Sequence, residues 1–225
     1  MKICKYGLSL TRLKKEDAKF VFEKIRSGDI KPLVSKDEET SEEQIQEWFY
    51  SITNLENIYY LVEYHEQKIG ILITKNISWE KRTFEIESNF WDETIQNSGI
   101  PLMSSLILLE TIFYFLNWNT SFAKASRDNK TLISQLHKLG YTLAEGHQNA
   151  VDQLYCLTAE GFETNMPKLK EDIKSLIENK TSEDYLLLEP IDYESGIAQV
   201  IENNFLESGV YLHRRGISGS RMYFR

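Results

Sequence analysis

The chain predicts an α/β domain built on a mixed sheet, followed by a smaller α/β extension. Three observations carry that prediction. The spacing of apolar residues switches repeatedly between a strand period and a helix period. A polar, Gly-containing turn, Gln96-Asn97-Ser98-Gly99-Ile100-Pro101, links a strand-like run to a helix that is apolar almost all round, Leu102 to Leu116. A Lys- and Glu-rich helical stretch beginning near Thr164 then separates a second, shorter set of elements from the first.

Leu8 to Leu13 alternates apolar and polar residues, as a half-buried strand does. The charged turn Lys14-Lys15-Glu16-Asp17 leads into a helix with Ala18, Val21, Phe22 and Ile25 on one stripe, ended by Ser27-Gly28-Asp29. Ser35 to Ser41 is an acidic, solvated loop. Ser41-Glu42-Glu43-Gln44 has a capping-box pattern and opens a helix with Ile45, Trp48, Phe49 and Ile52 inward. Ile58 to Tyr64 and Ile69 to Thr74 form a hairpin, and Thr83 to Trp91 is a third strand. After the Gly99 turn and its helix come a short strand, Ser121 to Arg127, and a helix, Thr131 to Leu139. Gly140 ends that helix because it tolerates positive φ. Tyr141 to Leu143 and Gln153 to Thr158 close the sheet. The order is β-α-α-β-β-β-α-β-α-β-β, over residues 1–163. Residues 164–225 read as a helix from Met166 to Asn179, a strand from Tyr185 to Glu189, a helix from Tyr193 to Phe205, a strand from Gly209 to Leu212, and a basic, disordered tail.

Bulk properties exclude several classes. The 225 residues are 41% hydrophobic and 12% aromatic, which suits a folded globular chain. A formal charge of −8 argues against a general nucleic-acid binder. Cys4 and Cys156 have no partners at metal-ligand spacing and read as reduced thiols of a cytoplasmic protein. No two histidines are spaced as metal ligands, so no metal is expected. Met1 to Lys5 is not followed by the apolar run of a signal peptide. The helix from Leu102 is shorter than the roughly 20 residues a membrane span needs, and it carries Ser104, Ser105 and Glu110. No membrane partner is expected, and a homodimer is compatible with the sequence.

The Gly99 turn is the most informative segment. The first N–H groups of a helix lack intrahelical acceptors, and the helix dipole is positive there, so such a turn suits a phosphate. Pro101 fits the first helical turn, where its missing N–H is least costly. Glu85, Glu87 and Asn89 share one face of the preceding strand. Two carboxylates beside a site suit general-base work, and burial raises a carboxylate's pKa toward that task. The same face equally suits a solvated or salt-bridged strand. His137 belongs at the edge of its helix, and Cys156 reads as a small core residue rather than a nucleophile.

With these residues in this order, the chain resembles the GNAT superfamily of acyl-CoA-dependent N-acyltransferases, and within it the ribosomal-protein and amino-sugar N-acetyltransferase-like branch. Leu8 to Leu13 with Glu16-Asp17-Ala18 is similar to the branch's opening strand and helix. Gln96 to Pro101 is similar to its (Arg/Gln)-x-x-Gly-x-(Gly/Ala) loop. Asp128-Asn129 and Lys138-Leu139-Gly140-Tyr141 are similar to its downstream segment. The resemblance spans roughly residues 6 to 160.

It implies a sheet that splays open at its centre, with acetyl-CoA as co-substrate and no metal. The coenzyme's pyrophosphate would lie on the N–H groups of Asn97, Ser98, Gly99 and Ile100, beside Gln96 and Pro101. The pantetheine arm would meet backbone groups of Phe90, Trp91 and Asp92 on one side and Asn129 on the other. The acceptor, a small-molecule or peptide amine, would enter from the opposite side of the sheet, with Glu85 or Glu87 as base and direct transfer in a ternary complex. Two positions depart from the pattern. Pro101 removes one N–H from the loop, and Leu136 stands where the family often has a Tyr that protonates the leaving thiolate. The alternative reading is a degenerate GNAT-like module that binds CoA or a protein partner without turnover.

Overall fold

A computed structural model describes residues 1–24, 41–174, 184–205, 211–215 and 219–224, the stretch 211–215 by its backbone. The predicted end of the first helix at Ser27-Gly28-Asp29 and the acidic loop from Ser35 lie outside these residues.

Among the described residues, eleven strands form one sheet: β1 (Lys2–Lys5), β2 (Leu8–Arg12), β3 (Ile58–Tyr64), β4 (Gln67–Ser78), β5 (Thr83–Phe90), β6 (Thr120–Ser126), β7 (Thr142–Leu143), β8 (Asp152–Thr158), β9 (Tyr185–Leu188), β10 (Tyr211–Arg215) and β11 (Arg221–Phe224). Their order is β10-β11-β9-β1-β2-β3-β4-β5-β6-β8-β7. Every pairing is antiparallel except β5 with β6, which is parallel. The parallel pair runs only from Thr83↔Thr120 to Ile86↔Ala123. Beyond Ile86 each strand stays paired on its outer side, β5 with β4 and β6 with β8, while the two part from each other. A mixed sheet that opens at its centre is the result.

The helices are α1 (Ala18–Lys24), α2 (Glu42–Ile52), α3 (Glu93–Gln96), α4 (Ile100–Glu110), α5 (Lys130–Leu139), α6 (Ala159–Asp172), α7 (Pro190–Glu194) and α8 (Ile197–Phe205). Ser41 and Gln44 complete the predicted capping box of α2. On one sheet face, Val21, Tyr59, Leu61, Ile71 and Ile73 pack with Phe20, Trp48 and Phe49 of α1 and α2. On the other, α4 is central. Its residues from Pro101 to Glu110 are all buried, which is why it reads as apolar all round. Leu106, Ile107, Leu108 and Leu109 are each fully buried, worth about 1.5–3 kcal/mol apiece.

Several expectations are corrected. The long apolar helix stops as α at Glu110 and continues as a π-helical turn, Thr111–Phe115. The helix expected from Met166 starts at Ala159, because Thr158 caps it by accepting the Gly161 N–H; its expected end, residues 175–179, lies outside the described residues. Tyr193 to Phe205 is not one helix: Gly196, at φ +79°, breaks it into α7 and α8. The tail is not disordered at Arg221–Phe224, which forms β11 between β10 and β9.

The extension is tied to the main sheet through β9, which pairs with β1 from Lys2↔Leu187 to Cys4↔Tyr185. The expected division after residue 163 falls inside α6. A sealed ion cluster stands at this junction. Asp192 is 0% exposed and accepts from Arg12 Nη1 at 2.9 Å and from the Glu189 N–H at 2.8 Å, with the Met1 ammonium as a further partner. Among the described residues, no helix is long and apolar enough to cross a membrane.

Candidate active site

The parting of β5 and β6 creates the site. On the α4–α5 side lies a cleft of about 350 Å³, lined by Ser88, Asn89 and Phe90 of β5, Gln96, Asn97 and Pro101 of the turn, and Asn129, Thr131, Leu132 and Gln135 of α5. A narrow passage of about 60 Å³ adjoins it and shares Ser88, Leu132 and Gln135. The passage is further lined by Ile86, Glu87, Leu102, Ser105, Ala123, Lys124, Leu136 and Leu139. Glu87 and Lys124 belong to the face carrying α1 and α2, whereas Ile86 and Ala123 face α4. The passage therefore crosses the sheet where the strands separate.

Local chemistry fixes the cleft wall. Asp92 caps α3 by accepting from the Thr94 N–H at 2.7 Å. The Thr94 hydroxyl and N–H hold the Asp92 carboxyl below its ordinary pKa. Gln96 Nε2 donates to Phe90 O at 2.9 Å, which ties the turn to the end of β5. The turn's own N–H groups are mostly engaged. Asn97 donates to Glu93 O and Ser98 to Ile95 O, both at 3.0 Å. The Ile100 N–H donates to Ser98 Oγ at 3.1 Å. Of the four N–H groups expected to hold a pyrophosphate, that of Gly99 has no acceptor among the described residues. Asn129 caps α5, its Oδ1 accepting from the Leu132 N–H at 3.0 Å, so its amide NH₂ is the group left for a ligand.

Phe90, Gln96, Asn97, Pro101 and Asn129 thus converge on one cleft, while Trp91, Asp92, Ser98, Gly99 and Ile100 do not line it. Trp91 turns to the α1 face, donating from Nε1 to Lys68 O at 3.0 Å and meeting Phe20 edge-on at 6.2 Å. Ser98, Gly99 and Ile100 form the turn into α4. Ser104 is spoken for, its hydroxyl donating to Ile100 O at 2.8 Å. His137 is exposed, with Nδ1 3.1 Å from Tyr141 O.

Beyond the passage stands a second ion cluster. Glu85 has a side chain 8% exposed, 3.2 Å from Lys75 Nζ and 3.0 Å from Lys124 Nζ. Asn76 Nδ2 donates to it at 3.0 Å. Burial would raise the Glu85 carboxyl, but Lys124 and Lys75 outweigh it and hold the group below its ordinary value. This reverses the direction expected for a buried base. Burial would likewise lower Lys75, but Glu87 and Glu85 raise it. Glu87 is more open, 44% exposed, with Lys75 at 2.5 Å and Asn89 Nδ2 donating at 3.3 Å.

Sequence reasoning missed Lys75 and Lys124. Lys75 is opposite Glu85 in the β4–β5 register, a pairing that the hairpin length encodes. Lys124 is a lone cation between two buried alanines of β6, which reads as an ordinary solvent-facing strand residue.

The acetyltransferase (GNAT) domain family matches residues 8–142. The chain belongs to this family, and it is an acyltransferase of the GNAT type. Among solved structures, it is similar to mutant forms of the spermidine/spermine N-acetyltransferase SpeG from Vibrio cholerae, with 16% identity and a TM-score of 0.60 over 72% of this chain and 99% of that one. A dodecameric structure of spermidine N-acetyltransferase from the same organism matches at 15% identity and TM-score 0.58, over 70% and 97%. A structure described as a putative acetyltransferase matches at 12% identity and TM-score 0.61, over 76% and 96%. At these identities the likeness is one of fold. No curated protein matches the chain.

GNAT acetyltransferases use acetyl-CoA as co-substrate. The cleft suits a coenzyme's long, polar arm: it is elongated by the passage and lined by the amide residues Asn89, Asn97, Asn129 and Gln135, of which Asn89 already donates to Glu87 and Asn97 to Glu93 O. It offers no lysine or arginine to a pyrophosphate among the described lining residues. No group of three or more His, Cys, Asp or Glu suited to a metal occurs among the described residues.

Proposed function

We propose that the chain moves an acetyl group from acetyl-CoA to a primary amine by direct transfer in a ternary complex. The observation that carries this reading is the parting of β5 and β6 beyond Ile86 and Ala123. It joins a cleft on the α4–α5 side to a carboxylate-bearing face on the other. Two substrates entering from opposite sides would meet at the passage.

Acetyl-CoA supplies the thioester carbonyl that the amine attacks. The chain's part is to hold and orient. Asn97 and Asn129 would engage the coenzyme's phosphates and arm, with the Gly99 N–H in the adjoining turn, and the edge of β5 at Ser88, which β6 no longer pairs, would fix its direction. A passage of about 60 Å³ favours an acetyl group over longer acyl chains. Holding two reactants in register can supply on the order of 7–11 kcal/mol of barrier lowering. Of the two carboxylates, Glu87 lines the passage and is open to an incoming amine, so it is the better-placed base. A positioned base adds typically 10²–10⁴-fold.

The Vibrio cholerae structures are of an enzyme acting on spermidine and spermine, which are amines; here the acceptor is proposed at the level of primary amine. Thiol release from acetyl-CoA across polyamines, amino sugars and peptide N-termini tests the reading. Amine-dependent release that falls at least about tenfold in Glu87→Gln supports it. Release that is unchanged in that variant removes Glu87 as base.

A further inference from the structure

A departing thiolate needs a positive charge or a proton within the passage. The polar side chains there are Glu87, Ser88, Ser105, Lys124 and Gln135. The carboxylate repels a thiolate. The amide has no proton to give, and the hydroxyls are far weaker acids than a thiol. Leu132, Leu136 and Leu139 of α5 supply nothing polar. Lys124 is the cation among these described residues, and it is held in place. From the point on β6 where the strands begin to part, its ammonium bonds Glu85 of β5 at 3.0 Å. Glu85 is in turn fixed by Lys75 and Asn76.

We propose that Lys124 meets the leaving sulfur as its counter-charge, and that Glu85 is the positioning residue that holds Lys124 there. This rests on the acetyl-CoA reading above. The nitrogen of the amine bonds to the carbonyl carbon, and the carbon–sulfur bond breaks with its electron pair going to sulfur. The sulfur leaves as a thiolate beside the Lys124 ammonium, and the amine's surplus proton goes to the Glu87 carboxylate. Glu87 then passes one proton to water and the sulfur takes one from water, so protons and charge balance. Water can reach both places, because Lys124 is 56% and Glu87 44% exposed. Glu85, at 8%, is shut away from that exchange and suits an anchor.

The test needs no acceptor. Coenzyme A with a free thiol is bound to the protein, uptake is followed by calorimetry, and the thiolate's ultraviolet absorbance is followed across a pH titration. An opposite charge nearby favours the ionised form. The bound thiol should therefore ionise about one pH unit below the same thiol in free solution. In Lys124→Met, which keeps the chain length and removes the charge, the titration should return to the free value while CoA uptake stays within about threefold. In Lys124→Arg, which keeps the charge, the shift should persist. A wild-type protein that takes up no CoA overturns the acetyl-CoA reading and this inference together. A wild-type protein that binds CoA but leaves its thiol titrating as in free solution overturns the inference alone. So does a Lys124→Met protein that titrates like the wild type.

Discussion

Two carboxylates in this molecule are each clamped by cations, and they differ in what surrounds the clamp. Asp192 sits with Arg12 and the Met1 ammonium in a sealed pocket, 0% exposed, where the extension meets the main sheet. Glu85 sits with Lys75 and Lys124, whose side chains are 30% and 56% exposed, where the sheet opens. The first cluster keeps its central carboxylate from solvent and fastens the turn between β9 and α7 to the edge of the main sheet. The second buries its anion and leaves its cations reachable, the arrangement a site needs if protons are to come and go. The same ion-pair chemistry joins two parts of the fold in one place and, under the proposed function, serves the transfer in the other, and access to water makes the difference.

Breaking the sealed cluster has the largest expected effect. Asp192→Ala strands Arg12 in a buried site and should cost about 3–5 kcal/mol of stability, measured by denaturant unfolding. A loss below about 1 kcal/mol would show that the junction is not sealed as described. The second effect comes from shape alone. A Cβ at Gly70 would sit 2.6 Å from Asn89 O and from Phe90 Cδ1. Gly70→Ala must therefore displace the end of β5 at the cleft wall. A cost of about 1–3 kcal/mol is expected, with weaker acetyl-CoA binding by calorimetry. Unchanged binding would disconnect Phe90 from the coenzyme site.

Glu85→Gln should be milder, about 1–2 kcal/mol, and its loss should depend on pH. The folded-state pKa of Glu85 is depressed, so its contribution is fully present above the ordinary carboxylate value of about 4.3. It is lost as pH falls through the lower folded value. Urea unfolding of wild type and variant should converge below that window; a difference that persists there would contradict the pairing. The smallest effect concerns salt. With no lysine or arginine among the described residues of the cleft, acetyl-CoA affinity should change by less than about threefold between roughly 0.05 and 0.3 M salt. A steep decline would point to a cationic contact elsewhere.

The sequence carried the centre of this fold well and its margins poorly. Helix caps at Ser41 and Gly140 and the alternation of β2 and β5 are local signals, and local signals survive in one dimension. β1 was invisible because only Ile3 of its four residues is buried, which gives no period. β11 was invisible because its order depends on distant partners. Arg221 Nη1 bonds Glu202 at 2.9 and 3.0 Å, and the strand needs β9 and β10 on either side. At the site, the carboxylates could be placed on one face by counting residues, but the lysines that pair with them come from neighbouring strands. Whether Glu85 is a free base or an anchored ion depends on sheet register and on the opening beyond Ile86, and neither is written in any single segment.

The central claim is that the opening between β5 and β6 takes acetyl-CoA. Calorimetric titration of the protein with acetyl-CoA tests it most directly, with Ala123→Leu as the variant that fills the passage while leaving the turn at Gly99 untouched. Saturable heat at one acetyl-CoA per chain, weakened at least about tenfold in the variant, is the predicted result. No heat at about millimolar ligand, or equal binding to both proteins, would contradict it.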